Sequence, residues 1–222
     1  IGYRLMKIFL QRYGIYLSTT TIHKYMNKDL NLSAIVMRKK PGYKSCKKHK
    51  IFDNLLKQKF NVDEKNKIWC TDFTYMRQPN GKFRYNCTIM DLFDRSAIAS
   101  VNSDYINTEL AIETLTEALK KEKPNNGILL HSDQGVQYTS WEFVNFCKDN
   151  GVIQSMSKAG CPYDNAPMER FYNTFKNCFY YRYTFESVEQ LDEMTKQYIN
   201  WYNYVRPHST NNYMTPMEFR YR

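Results

Sequence analysis

Three acidic residues raise the question of chemistry: Asp72, Asp133 and Glu169, with 60 residues between the first two and 35 between the second and third. Carboxylates brought together from distant segments can hold two divalent cations about 3.5–4 Å apart against a scissile phosphate. Hard oxygen donors of this kind suit Mg2+. Each acid also has a plainer explanation. Asp72 lies inside KIWCTDFTYM with the parity of Ile68 and Cys70, where an exposed-face or edge-strand aspartate would look the same, although an unpaired buried one would be costly. Asp133 follows the apolar run GILL, and a strand-end turn aspartate shortly before Gly135 is ordinary. Glu169 falls in the first turn of a helix starting near Asn165-Ala166-Pro167, where an acid complements the helix dipole and can close a capping box.

The choice turns on the elements that would carry these acids. From about residue 66, KIWCTDFTYM, then GKFRYNCTIMDLF after the turn PNG, then SAIASVNS read as three strands close enough for an antiparallel meander. NTELAIETLTEALKKEK places Leu110, Ala111, Thr114, Leu115, Ala118 and Leu119 on one stripe of a helix ending before Pro124. GILLHSD is a short apolar strand, SWEFVNFCKDNG a helix closed by Gly151, and VIQSMS a fifth strand. APMERFYNTFKNCFYY and ESVEQLDEMTKQYINWYN follow as helices. The order βββαβαβα predicts an α/β, ribonuclease H-like mixed five-stranded sheet flanked by helices. In open sheets of this kind, sites collect at strand carboxyl ends where the strand order reverses. Asp91 and Asp94 read as turn residues between the second and third strands, Asp164 and Asn165 as loop and cap residues, and His131 as a structural strand-end histidine. Trp201, Tyr202, Arg206 and His208 read as packing or capping residues of the last helix.

Charge separates the chain into unequal parts. The net charge is +10, yet residues 1–60 hold 14 Lys and Arg against Asp29 and Asp53, a net +12, while the remainder holds 18 basic and 20 acidic residues, a net −2. One-sided basicity of this kind fits a polyanion-binding arm on a near-neutral domain. Residues 1–35 read as a small all-α helix-turn-helix-like segment: GYRLMKIFLQRY, an interruption at Gly14, then TTTIHKYMNKDL capped by Ser18 or Thr19. Any αα-hairpin shares that pattern. Residues 36–65 read as a basic linker, with Lys39, Lys40, Lys47 and Lys48 able to lie along phosphates, and residues 66–222 as the catalytic core with its C-terminal helix. Ile1 is not a start methionine, so the chain is expected to be a fragment lacking its natural N-terminus. No run of 18 apolar residues exists to span a membrane. The six cysteines include no CxxC pair, which favours a reduced compartment over a disulfide framework. Cys46 and His49 have ligand-like spacing, but zinc takes four ligands and no second pair is evident.

Taken together, DFTY at 72–75, HSDQGVQYTS at 131–140 and SMSKAGCPYDNAPMERFYNTFK at 155–176 closely resemble the integrase-type core of insertion-sequence transposases. The group concerned is related to retroviral integrases and is usually expressed as the second reading frame of its element. The 60- and 35-residue spacings match that family's D-D-35-E signature. Lys176, seven residues after Glu169, matches its basic position and lies on the same helix face. The tail YINWYNYVRPHSTNNYMTPMEF and the opening GYRLMKIFLQRYGIYLSTTTIHKYM resemble the family's ends. Cys178 departs from the family, which often has glutamate there.

The resemblance implies a DDE transposase in which Asp72, Asp133 and Glu169 are catalytic and hold two Mg2+ (or Mn2+) ions. Water, and later a DNA 3′-hydroxyl, would attack phosphorus in line, without a covalent enzyme intermediate. DNA, both element ends and target, is the implied partner, bound by a homo-oligomer and joined by an upstream-frame transposase protein, in a bacterial cytoplasm at the nucleoid. Lys176 is placed on a phosphate, and Tyr138, Tyr163 and Asn165 are further expected DNA contacts, with Gly135 giving the backbone room beside DNA. Two other readings stand beside this one: a non-catalytic DNA-binding remnant, and a ribonuclease H-like nuclease.

Overall fold

A computed structural model describes residues 2–32, 50–125 and 127–222. Five strands form one sheet: β1 (Ile68–Arg77), β2 (Phe83–Asp91), β3 (Ala97–Ser103), β4 (Ile128–Ser132) and β5 (Val152–Met156), in the order β3-β2-β1-β4-β5. The first three pair antiparallel, and β4 and β5 add in parallel beside β1. The predicted sheet therefore forms, with β1 central and the strand order reversing between β1 and β4. Parallel addition needs crossovers, supplied by α3 (Thr108–Glu122) before β4 and by α4 (Val136–Thr139) and α5 (Trp141–Asp149) before β5.

Alternation along β1 feeds two cores. Cys70 and Met76 face α6 (Ala166–Cys178) and α7 (Val188–Tyr204), where Phe171, Phe175, Leu191, Tyr198 and Tyr202 are buried. Trp69 faces the other side, against Ala111, Leu115 and Ala118 of α3 and Phe143 and Cys147 of α5. Helices thus cover both faces. Asn107 caps α3 through Leu110 N–H, and Ser187 caps α7 through Gln190 N–H. The predicted helix over 166–181 instead stops at Cys178, and a 3-10 turn covers Tyr180–Arg182. The break turns the Phe179 ring into the cluster of Phe175, Phe185 and Tyr198, at centroid distances of 5.1, 5.7 and 5.4 Å. That aromatic burial outweighs continuing the helix.

The N-terminal segment contains α1 (Tyr3–Arg12) and α2 (Thr19–Lys24), the latter running on as a π-helical turn over Tyr25–Asp29. Gly14 joins the two at φ +76°, a conformation glycine adopts without penalty, and the Ser18 side chain accepts from Thr21 N–H as the expected cap. Arg12 reaches Glu218 at 2.8 Å and the Tyr213 carbonyl at 3.2 Å, which docks α1 against the chain's other end, near α8 (Pro216–Arg220).

The linker expectation for residues 36–65 needs correction where the structure describes it. From Lys50 onward the chain is seated on the sheet. Leu56 is buried in the α6 core, Leu55 and Leu56 N–H both donate to Ser155 Oγ, and Met156 N–H donates to the Asp53 carbonyl. This segment covers the β5 edge, which would otherwise expose unpaired backbone. Lys39, Lys40, Lys47 and Lys48, with Cys46 and His49, lie outside the described residues. Among the described residues no helix is long and apolar enough to cross a membrane.

His208, expected as a packing residue, is set against Tyr202 with the ring centroids 6.2 Å apart. Burial, with Arg206, Arg95 and Arg170 nearby, pushes its pKa from 6.5 down to about 3. His131, fully buried between Ser155 and Ser157, is lowered to about 4, again by burial. Both are neutral in the fold, whereas unfolding lets them protonate near pH 6.5, so stability is complete above that pH and declines as pH falls through it. Carboxyl groups raised by burial, Asp72 first among them, act in the opposite sense over the same range, so the histidine effect is read by difference: between pH 6.5 and 5 the urea midpoint of His208→Gln should gain on that of wild type.

Candidate active site

The parallel register carries two of the acids to one level. β1 and β4 pair Ile68 with Leu129, Trp69 with Leu130 and Cys70 with His131. Extended by two residues, that register sets Asp72 level with Asp133, just past the point where the pairing of the two strands ends. β4 ends at Ser132, so Asp133 begins the loop at its tip. Asp72 shares the parity of Cys70 and Met76, which points it to the face on which α6 packs.

Glu169, in the first turn of α6, is the third. Two contacts pin that helix start to β1. Asn165 Nδ2 donates to the Thr71 carbonyl at 3.2 Å, and Tyr172 Oη, one turn beyond Glu169, donates to the Asp72 carbonyl at 2.9 Å. The loop before α6 is held as well: Asp164 accepts from Gln58 Nε2 at 2.7 Å and from Lys158 N–H at 2.9 Å. Those bonds hold its carboxyl below the usual range.

All three acids line one cleft of about 520 Å³ at the tip of β4 and beside the middle of β1, together with Gln134, Ser157, Lys158 and Asn165. Asp72 is half-buried, and burial first, then the charge of Asp133, pushes its pKa up to about 8, with Glu169 adding to the same effect and Lys176 opposing it. Glu169 is raised too, by desolvation. A carboxyl group pushed up by burial and a neighbouring acid, as Asp72 is, is what a divalent cation would ionise, and the donors are all hard oxygens. The residues therefore fit Mg2+. They do not form a ready-made cage: among the described residues no three His, Cys, Asp or Glu side chains meet at metal-binding distance. Asp72 Oδ1 accepts from Phe73 N–H and Asp133 Oδ1 from Gly135 N–H, each at 2.8 Å, so each acid turns one oxygen onto the backbone.

The bond from Gly135 N–H is the expected turn at Asp133, and the residue lines the cleft as well. Gly135 has a local role beyond giving room at the surface. A Cβ there would sit 2.9 Å from Asp133 Oδ1 and 3.0 Å from Gln137 Oε1, so any side chain would displace the carboxylate.

Of the expected DNA contacts, Tyr163 is exposed on the turn that enters α6, and Asn165, although nearly buried, lines the cleft. Lys176 lies half-buried with Nζ 4.5 Å from the centre of the Tyr75 ring. Tyr138 is a correction. It is 1% exposed, packed on Phe73 and Phe143, with its hydroxyl 3.0 Å from Thr71 Oγ1. Its loop needed an anchor under the cleft, and the ring went inward. Tyr138→Phe should lower stability by about 1 kcal/mol, the worth of one hydrogen bond, and leave DNA affinity unchanged in a binding titration.

Two features were not read from the sequence. One is the short helix α4 directly behind Asp133; the other is the tethering by Tyr172 and Asn165. The positions of Asp72 and Glu169 hint at the tether only once β1 and α6 are known to touch.

Comparisons with known proteins agree with this geometry. The integrase core domain family matches residues 62–162, and a second integrase core domain family matches residues 150–216. InsK of insertion sequence element IS150 from Escherichia coli K12, named as a transposase, is 31% identical over 99% of this chain and 77% of its own length. The transposase of insertion sequence element IS904 from Lactococcus lactis is 35% identical over 75% of this chain and 66% of its own. Among solved structures, a chain of the simian T-cell lymphotropic virus intasome in complex with PP2A regulatory subunit B56 gamma superposes with a TM-score of 0.64 at 18% identity, covering 97% of this chain and 70% of that one. The HTLV-2 integrase catalytic core in complex with magnesium gives 0.55 at 16% identity, over 71% of this chain and 97% of that one. These likenesses support the ribonuclease H-like integrase fold. The chain belongs to the insertion-sequence transposases built on an integrase core domain, enzymes of the polynucleotidyl transferase type.

Proposed function

We propose that this chain cleaves DNA strands at the ends of an insertion element and joins them to target DNA, with Asp72, Asp133 and Glu169 as the catalytic carboxylates. The convergence of the three on one cleft, two by strand register and one by a pinned helix start, is the observation that supports it. These carboxylates would hold two Mg2+ or Mn2+ ions, which when bound supply an activated attacking oxygen and stabilise charge on the leaving one. The carboxylates act as ligands and do not attack phosphorus. Asn165 and Tyr172 keep Glu169 in register with Asp72, and the Gly135 turn orients Asp133. Lys176, on the Glu169 face of α6, places a positive charge for the phosphate backbone, and Tyr163 and Asn165 border the path of the strand.

The basic first 60 residues would hold DNA through phosphates, which makes affinity fall steeply with salt. The intasome likeness and the need to hold two DNA ends favour a homo-oligomer on DNA, with an upstream-frame protein as a further partner.

The test incubates the purified chain with labelled DNA carrying the element's ends and Mg2+, and resolves the products on a denaturing gel. Strand transfer products lost on chelation support the proposal. DNA binding without any metal-dependent nicking favours the remnant reading, and cleavage of RNA–DNA hybrids without joining favours the nuclease.

A further inference from the structure

Beyond Asp72 the chain carries an aromatic strip that the core does not use. β1 and β2 pair Tyr75 with Tyr85 and Arg77 with Phe83, so these four side chains share one face of the hairpin. Tyr75 is 53% and Phe83 42% exposed, and Tyr85 is half-buried. The Tyr75 and Phe83 rings meet edge to face at 5.5 Å, and Phe83 lies 6.4 Å from Tyr85. Cations sit on two of the ring faces: Lys176 Nζ is 4.5 Å from the Tyr75 centroid and the Arg77 guanidinium 5.8 Å from that of Phe83. Pairing of β1 with β4 stops at Cys70, while β1 itself runs to Arg77, so the strip lies past the parallel half of the sheet.

Lys176 links the strip to the cleft, since its charge acts on Asp72 while its Nζ lies against the Tyr75 ring. Lys176 shares the α6 face that carries Glu169 and ends on the Tyr75 ring. Phe73, between Asp72 and Tyr75, packs on Tyr138 beneath the cleft loop at 5.0 Å. Tyr75 is three residues from Asp72, about 10 Å along the strand, a rise of about three steps of a nucleic acid strand at 3.4 Å each, and alternation sends its ring out of the opposite face beside the β1 edge that β4 leaves unpaired past Cys70. An exposed cross-strand aromatic pair can simply stabilise a hairpin. Cations placed against the rings, at one end of a cleft shaped for a scissile phosphate, favour a different use.

We propose that Tyr75 and Phe83 stack unpaired bases of the DNA strand being cut, about three nucleotides from the scissile phosphate, while Lys176 and Arg77 take the neighbouring phosphates. On binding, each cation exchanges a ring for a phosphate and each ring exchanges a cation for a base. The strip thereby favours DNA ends that fray. This rests on the DNA strand-transfer reading above and names how that site holds its substrate.

The test measures binding of the full chain to two element-end duplexes without divalent metal, one fully paired and one mismatched over its last three nucleotides. Wild type should bind the mismatched end more tightly, and 2-aminopurine at the unpaired positions should be quenched. Tyr75→Ala/Phe83→Ala should lose about tenfold or more for the mismatched end, with little change for the paired one, while Tyr75→Phe keeps the preference. Equal loss for both ends, or no loss, overturns the proposal. Unquenched 2-aminopurine with the wild-type protein overturns it without needing any variant to fold. Strand transfer by wild type in Mg2+ is scored separately: its absence tells against the functional reading, and its presence with no end preference tells against stacking alone.

Discussion

Asp133→Asn should abolish strand transfer, by about 10³-fold or more, while leaving the fold intact. Asparagine keeps an oxygen at the Oδ1 position, so the 2.8 Å bond from Gly135 N–H survives and the turn with it. Only the negative charge and one anionic donor are lost, and in the proposed reaction stabilisation of the transition state depends on them. The stability change runs the other way. Asp133 is among the charges that push Asp72 upward, so removing it should leave the melting temperature unchanged or slightly higher in the metal-free protein. Activity is read by product formation on end-labelled DNA and stability by circular dichroism melts of the same preparation. A turn-only role predicts unaltered activity, so full activity in Asp133→Asn would remove the residue from the catalytic set.

Arg220→Met should lower stability by about 3–5 kcal/mol, read as a shift of the urea midpoint, because it would leave buried carboxylates without their cation. Asp91 and Asp94, expected simply as turn residues, do form the turn: Arg95 N–H closes it on the Asp91 carbonyl at 2.9 Å. Their side chains, however, are fully buried and both accept from Arg220 Nη1, while Nη2 reaches Glu122 and, at 2.8 Å, Asn66 Oδ1. One guanidinium serves three acids. Backbone donors share the load: Asn66 and Phe93 N–H on Asp91, at 2.8 and 3.0 Å, and Ser96 N–H on Asp94 at 2.7 Å. Burial and Asp94 push Asp91 up while Arg220 pulls it down, and the same acids hold Arg220 more firmly protonated. Arg220→Lys should recover only part of the loss, since a single ammonium cannot reproduce the planar fork. α8 is thus a structural closure on the β2–β3 turn, far along the chain from it. A midpoint within about 0.5 kcal/mol of wild type, the range of ordinary surface substitutions, would show the network to be dispensable.

The two sites differ in how far the sequence exposed them. The sheet was legible because its strands carry period-two patterns and its helices end in caps and breakers, which are local properties. The cleft acids were legible through spacing set against the likeness to a family; composition alone left each with an ordinary explanation. The Arg220 network left no local trace. Its members come from residues 66, 91, 94, 122 and 220, and a charged residue in a short C-terminal helix resembles any solvated one. Tyr138 failed for a related reason, since a tyrosine can stack on DNA or pack inward, and only its neighbours decide.

By itself, then, the sequence determined the element order, the strand parity that turns Asp72 toward α6, and the presence of three acids at diagnostic intervals. Those follow from local dihedral preference and side-chain alternation. Tertiary structure decided the rest. It set β1 and β4 in the register that levels Asp72 with Asp133, pinned Glu169 through Asn165 and Tyr172, sent Tyr138 inward, and seated residues 53–56 along β5. Each of these depends on which surfaces bury together across long separations in the chain, and no local pattern encodes that choice.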